Sequence, residues 1–477
     1  MNPTTEEPET EAAQVASLRQ QVLRNPGVRA LVGARFTASL GIATLAYGAM
    51  VYLATVGASQ ASISLVGSTR FIAALLFGIG GGALVDATSK RTAIVSAYLL
   101  QAAACFIVPT LFGTSVGSLI VLVFLVASLG QVAIPAVKAA TALVSTVAQV
   151  AAVAAIIAVA GGIGAAMGSA FLAPFLINVA SMRTIIYVAG VVLLLGAWRA
   201  RAIPDEGAAV SLGKAARTVD WKASVPSPER TAVWLLANRK VAAMILVGSI
   251  VIALFEGFNT LMPVYVRDVL GTNPTHTIYI LAPGGFGFLA GTALGPWLMD
   301  RRGERALGVM ALAALSLGLV LFGLIDIVAP VLAPFSPLRV LNLFGIALTP
   351  QMQAAGLISI LTAFGSTAAL AAVQTYVNRY VLLARQATTF GMQEVLDNAL
   401  TVVAVLGLGI GASLLGSRLV FILAPPLIVA VVVWLIQRAF RITQGDSPAA
   451  RAILQVLLDS ARDGATPRSD RPPGGAA

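Results

Sequence analysis

What the sequence has little of narrows its chemistry. Only 11% of its 477 residues are charged, whereas soluble domains carry about 25%, so the chain cannot clothe itself in a polar surface. Its single cysteine, Cys105, lies within an apolar run, which excludes an internal disulfide and a cysteine metal cluster. The single histidine, His276, leaves no basis for histidine-based metal chemistry. No metal site and no cofactor is therefore expected. A phosphate-binding loop of the form G-x-x-x-x-G-K-S/T is absent, and no hydrolytic constellation is visible. An enzymatic role is not expected, and any energy used must come from an ion gradient or from the substrate's own.

Apolar sequence is what the chain has in abundance. It is 58% hydrophobic, with a mean hydropathy of +0.90, and its apolar runs are long enough to cross a bilayer as helices. The short alternating segments of an outer-membrane barrel are missing. The reading is an all-α membrane protein with twelve transmembrane helices. They are placed near 30–55, 64–86, 92–111, 116–137, 150–176, 182–199, 241–265, 277–299, 306–327, 353–377, 394–415 and 418–438. The first run is too long for the core of a signal peptide, so no cleavable leader is expected.

The formal net charge of +11 would suggest nucleic acid in a soluble protein. Its distribution argues otherwise. With the N-terminus inside, 25 of the 31 Lys and Arg residues fall on cytoplasmic segments, the asymmetry that sets membrane topology. Both termini are thus expected in the cytoplasm, the protein in the cytoplasmic (inner) membrane as a multi-pass protein, and nucleic acid is not an expected partner.

Hydrophobicity collapses between about 201 and 239, where charged residues mix with Pro204, Pro226 and Pro228. This cytoplasmic linker divides the chain into a six-helix bundle over 29–200 and another over 240–440. A cytoplasmic tail covers 1–28. A second one covers 441–477, with a short amphipathic helix capped at Ser447-Pro448 and carrying Ile453, Leu454, Leu457 and Leu458. The halves repeat: Val51-Tyr52-Leu53 and Val264-Tyr265-Val266 stand 213 residues apart, and so do Asn25 and Asn238. Further on, the glycines around Gly164 and Gly168 echo those around Gly407 and Gly411. The extra residues of the second half fit a long outer segment, 328–352. Two parallel repeats of six spans place a binding site between the halves near the membrane midplane.

Two loops carry the most specific signal. Gly82-Ala83-Leu84-Val85-Asp86 leads to Lys90-Arg91 after the second span, and Gly295-Pro296-Trp297-Leu298-Met299-Asp300 leads to Arg301 and Arg305 after the eighth. This repeated pattern resembles the signature loop of major facilitator superfamily transporters. The resemblance implies a cytoplasmic gate whose charges hold the two halves together in the outward-facing state, formed here by Gly82, Asp86, Lys90, Arg91, Asp300, Arg301 and Arg305. Neither copy is complete: the first has Ala87 and Ser89, and the second has Pro296 with its glycine one place early. Gly161 to Ser169 is similar to the antiporter motif of the family's exporters, with Ala165 for its proline, and Pro135-Ala136-Val137-Lys138 to a gate-side element of the same branches. The closest branches in pattern are bacterial drug-efflux and siderophore exporters. These often carry an acid just after the glycine of span one, where this chain has Ile42.

Charges inside a span are costly, about 2.5–3.5 kcal/mol at a helix centre on insertion scales, so the few present are functional candidates. Glu256 reads as the only carboxylate in the interior of a span, either taking a proton or binding a cationic substrate; a structural carboxylate paired with an Arg is the plainer alternative. Arg70 could pair with it if span two meets span seven. Arg35 is near enough to a helix end to snorkel. Tyr47, Gln101, Gln131, Asn259 and Tyr279 are further cavity candidates, each equally readable as a helix–helix hydrogen-bonding group. Gln393, Glu394, Asp397 and Asn398 read as caps at the start of span eleven, and Gly164, Gly168, Gly407 and Gly411 as packing glycines.

So few polar groups suggest an apolar or amphipathic substrate. The expectation is a secondary active transporter working by alternating access, an exporter and a monomer, with the lipid bilayer and a small-molecule substrate as partners and protons as candidate coupling ion. Two rivals stand beside it: a lipid or lysolipid flippase, and a non-transporting relative acting as an assembly factor or sensor.

Overall fold

The computed structural model describes residues 24–146, 149–205, 238–381 and 383–441. Residues 1–23, the linker core 206–237 and the expected amphipathic helix of the C-terminal tail lie outside the described residues. Among the described residues the chain is all-helical, without strands.

The first half contains α1 (Pro26–Thr55), α2 (Gln60–Asp86), α3 (Lys90–Phe112) and α4 (Val116–Val144). It continues through α5 (Val150–Ala166), a π-helical turn at Met167–Leu172, α6 (Ala173–Val179) and α7 (Met182–Ala200). The second half has α8 (Arg239–Asp268), α9 (Thr277–Arg302), α10 (Glu304–Gly323), the short α11 (Ile325–Leu332), α12 (Pro350–Tyr380), α13 (Leu383–Leu415) and α14 (Ser417–Arg441). Local sequence sets many of the starts. Ser59, Ser89, Ser115, Ser181 and Thr349 each accept a backbone N–H of the following helix, as short polar side chains do at an N-cap. Between α13 and α14 the chain turns at Gly416, whose φ of 85° lies in the left-handed region that suits glycine.

Among the described residues, eleven helices are long and apolar enough to cross a membrane. In α14 the described apolar stretch, Ser417–Val431, is short of that length. The ninth span also ends earlier than expected, because α10 stops at Gly323 and α11 restarts at Ile325. The outer segment 328–352 is built from the end of α11 and 3-10 turns at Ala333–Phe335 and Pro337–Phe344. The larger departure is α13. It begins at Leu383 rather than near 394, so Glu394, Asp397 and Asn398 are interior helical residues and not caps.

Buried apolar side chains form two clusters, one drawn from residues 28–203 together with Val264, the other from residues 241–421. Each gathers the helices of one half. Glycines bring helices together within them. A Cβ at Gly164 would stand 2.4 Å from Phe36 O, and one at Gly168 2.4 Å from Leu40 O, so the α5 segment lies directly on the α1 backbone. Gly168 sits in the π turn, and such turns recur at special sites in helices. Gly407 has open space and Gly411 only an ordinary contact with Val420. The tight glycine of that helix is Gly409, whose Cβ would fall 2.0 Å from Ser64 Oγ of the other half.

The same accounting separates the two glycines at the start of the first signature loop. A Cβ at Gly81 would meet Gln131 O at 2.1 Å, whereas Gly82 has nothing within 4 Å. Gly81→Val is therefore expected to force α2 off α4 and to lower the melting temperature of the purified protein by several degrees, as overpacking costs about 1–3 kcal/mol. Gly82→Val should leave it within a degree or two. Equal effects would contradict this packing.

Candidate functional site

The two halves meet along α2 and α13 and along α1, α2 and α8. At the centre of that boundary Arg70 of α2 donates to Glu256 of α8, forming an ion pair between halves. Their side chains are 40% and 27% exposed, so neither charge is sealed inside the protein. Arg70 also lies over the Phe71 ring, 4.4 Å from its centroid, while its Nε is buried without a partner. Close packing fixes the approach. A Cβ at Gly67, one turn before Arg70, would stand 2.5 Å from Thr260 Cγ2, one turn after Glu256.

Around this pair the other candidates separate. Tyr47 is buried, with its hydroxyl unpaired beside Thr277 of α9, the other half. Asn259 and Tyr279 are half-buried, and Tyr279 rests against His276 with ring centroids 5.7 Å apart. Gln101 is fully buried and donates to Val126 O at 2.8 Å. It is a strut between α3 and α4 and no part of a cavity lining. Gln131 donates to Ala127 O of its own helix at 3.4 Å, beside Gly78 and Gly81.

One end of the boundary is latched. Gln60 Nε2 donates to Asp268 Oδ2 and to Ser417 Oγ, both at 3.0 Å. Arg267 Nε bonds Asp268 Oδ1 at 2.6 Å, and its Nη1 donates to Ala54 O at 2.9 Å. Ser413 Oγ accepts Ala61 N at 3.1 Å. None of these partners is a candidate in the sequence, where an Arg-Asp pair at the end of a span reads as an interface charge.

At the opposite end the signature loops make contacts within their own halves. Arg91 pairs with Asp205, just past α7, and Lys90 Nζ reaches Val85 O at 3.5 Å. In the second half Glu304 pairs with Arg379 and Arg305 Nη2 donates to Tyr376 Oη at 2.8 Å. Arg301 lies over Trp297 at 4.2 Å. Asp86 and Asp300 are exposed. The hydrogen bonds and the ion pair that join the halves through Arg70, Glu256, Gln60, Ala61, Arg267, Asp268, Ser413 and Ser417 lie between the Arg70–Glu256 level and the Gln60 end.

The longer α13 also adds a residue that the sequence reading had set aside. Asp397 stands about four turns into that helix, half-buried, with Gln393 of its own helix and Ser249 of α8 against its carboxyl group. Glu256 is thus not the only carboxylate inside a span.

Two packed helical halves, rich in helices long and apolar enough to span a bilayer, define a multi-pass helical membrane protein. The sequence matches the Major Facilitator Superfamily over residues 31–357, and the chain belongs to that family. No curated protein matches it. Among solved structures, the nucleoside transporter NupG superposes with a TM-score of 0.65 at 13% identity, covering 87% of this chain and 99% of that one. A bacterial homologue of the human lysosomal transporter Spinster, in an inward-facing and unoccupied conformation, gives 0.64 at 14% identity over 90% and 99%. A POT family transporter in complex with 5-aminolevulinic acid gives 0.60 at 11% identity over 86% and 96%. At these identities the likeness is one of fold.

Proposed function

We propose that this protein is a secondary active transporter that exports an apolar or amphipathic small molecule by alternating access, with Glu256 as the group that couples it to protons. The observation that carries the reading is the Arg70–Glu256 pair, a charged contact between the halves whose side chains remain partly exposed. Its two charges neutralise each other at a depth where either alone is expensive. Protonation of Glu256 or an approaching cationic group would release Arg70, so the pair can report occupancy to the boundary on which the halves rock.

The positively charged loops around Lys90, Arg91, Arg301 and Arg305 support placing that end in the cytoplasm. The arrangement then corresponds to an inward-facing state, latched outside through Gln60, Arg267 and Asp268 and open inside. Asp86 and Asp300, exposed in this state, are assigned to the cytoplasmic gate that forms when the inner end closes.

The test is accumulation of a panel of cationic and neutral dyes in cells expressing the protein, with and without a protonophore. Accumulation at least threefold lower than in control cells, and restored by the protonophore, is expected. No difference for any dye would remove the exporter reading, and transport selective for lipid headgroups would replace it with a flippase.

A further inference from the structure

We propose that Asp397, Gln393 and Ser249 form a binding site for a primary ammonium group, so that the transported amphiphile is an amine. This names a substrate class for the site described above and rests on the transporter reading.

Three oxygens carry the argument. Ser249 is fully buried and Gln393 is 5% exposed, and Ser249 Oγ, Gln393 Oε1 and Asp397 Oδ1 are all buried atoms without a hydrogen-bond partner. Buried polar atoms are almost always paired, and leaving one unmade costs about 1–3 kcal/mol. Two of these atoms lie beside the carboxylate that supplies the third, and all three stand between α8 and α13 with acceptor capacity unused. A primary ammonium brings three N–H donors, no acceptor and one positive charge, which matches three acceptors, one of them a carboxylate oxygen. A hard divalent cation would require six or more oxygens, twice the number gathered here.

No Lys or Arg among the described residues is a charged neighbour acting on Asp397. Among the described residues, Arg70 of α2 is paired with Glu256, Arg379 of α12 with Glu304, Arg418 of α14 with Asp326, and Arg267 of α8 with Asp268. The charged neighbour acting on Asp397 is Glu394, one turn earlier on its own helix, and it adds to the attraction for a cation. Access comes from the unlatched end, since Asp397 is half-buried and Glu394 exposed. Ser249 and Glu256 lie seven residues apart, about 10 Å or two turns along one face of α8. A bound ammonium would sit at Asp397, with its apolar tail free to extend toward the Arg70–Glu256 level.

The experiment is calorimetric titration of the full-length protein in lipid nanodiscs, blanked against empty nanodiscs. The probes are n-octylammonium chloride, n-octyltrimethylammonium chloride and n-octanol. Octylammonium should bind at least tenfold more tightly than octanol, with the trimethyl compound weaker than octylammonium because it cannot donate. Asp397→Asn should erase the preference, Gln393→Leu and Ser249→Ala should each reduce it severalfold, and Glu256→Gln should preserve it. If Asp397→Asn does not fold, the other two substitutions decide. Equal binding of octanol, a preference that survives these substitutions, or one lost instead in Glu256→Gln would overturn the assignment. Should dye export fail while octylammonium still binds through Asp397, the exporter reading falls and this site stands.

Discussion

Glu256→Gln reduces transport at least tenfold in proteoliposomes, a change of about 1.4 kcal/mol in driving interaction, while the protein still inserts and purifies. The substitution keeps the shape of the side chain and removes its charge, leaving Arg70 unneutralised on the boundary. An exposed ion pair contributes only about 0–1 kcal/mol, but a lone charge at membrane depth costs more, about 2.5–3.5 kcal/mol on insertion scales. The 40% and 27% exposure of the two side chains puts this pair between those limits. Each single variant, Glu256→Gln or Arg70→Gln, should therefore be less stable than the double variant. The double variant distinguishes the two readings of the pair. If the pair only holds helices together, removing both charges restores stability and transport alike. If Glu256 couples transport to protons, stability returns and transport does not.

Breaking the latch has the second large effect. Asp268 accepts from both Gln60 and Arg267, so Asp268→Ala removes the acceptor shared by the two. Arg267 then loses the carboxylate that holds its guanidinium against the Ala54 carbonyl. The halves are expected to separate at that end. Ser64→Cys is a suitable reporter, because Ser64 is 1% exposed against Gly409 and the native Cys105 is buried and silent. Labelling of this cysteine by a membrane-impermeant maleimide should rise at least fivefold in the Asp268→Ala background. Unchanged labelling would mean that helix packing through Gly409 and Gly67, rather than the polar latch, keeps this end closed.

These contrasts show what the sequence displays and what it conceals. Glu256 and Arg70 stand out because a charge in an apolar run is rare, and the repeat of the two loops is visible as spacing. Which way a helix is turned is not. Gln101 looks like any polar residue in a span, yet its amide is spent on Val126 O of the next helix. The glycines of α13 look alike in sequence, and only the rotation of that helix against α2 makes Gly409 the contact and frees Gly407. Asp397 was hidden for a different reason. Hydropathy marks where a helix enters lipid, not where it begins, and α13 starts eleven residues before the expected entry at 394. A carboxylate taken for a cap thereby becomes an interior group facing Ser249.

Alternating access itself is tested most directly by distances at the two ends of one molecule. Spin labels at Ala87 and Gly303 report the end bearing the signature loops, and labels at Ala58 and Thr272 report the latched end. Measured by electron–electron double resonance in liposomes, an imposed proton gradient with a transported dye should shorten the first distance and lengthen the second in the same sample. Two distances that stay fixed, or that change in the same direction, would contradict the account.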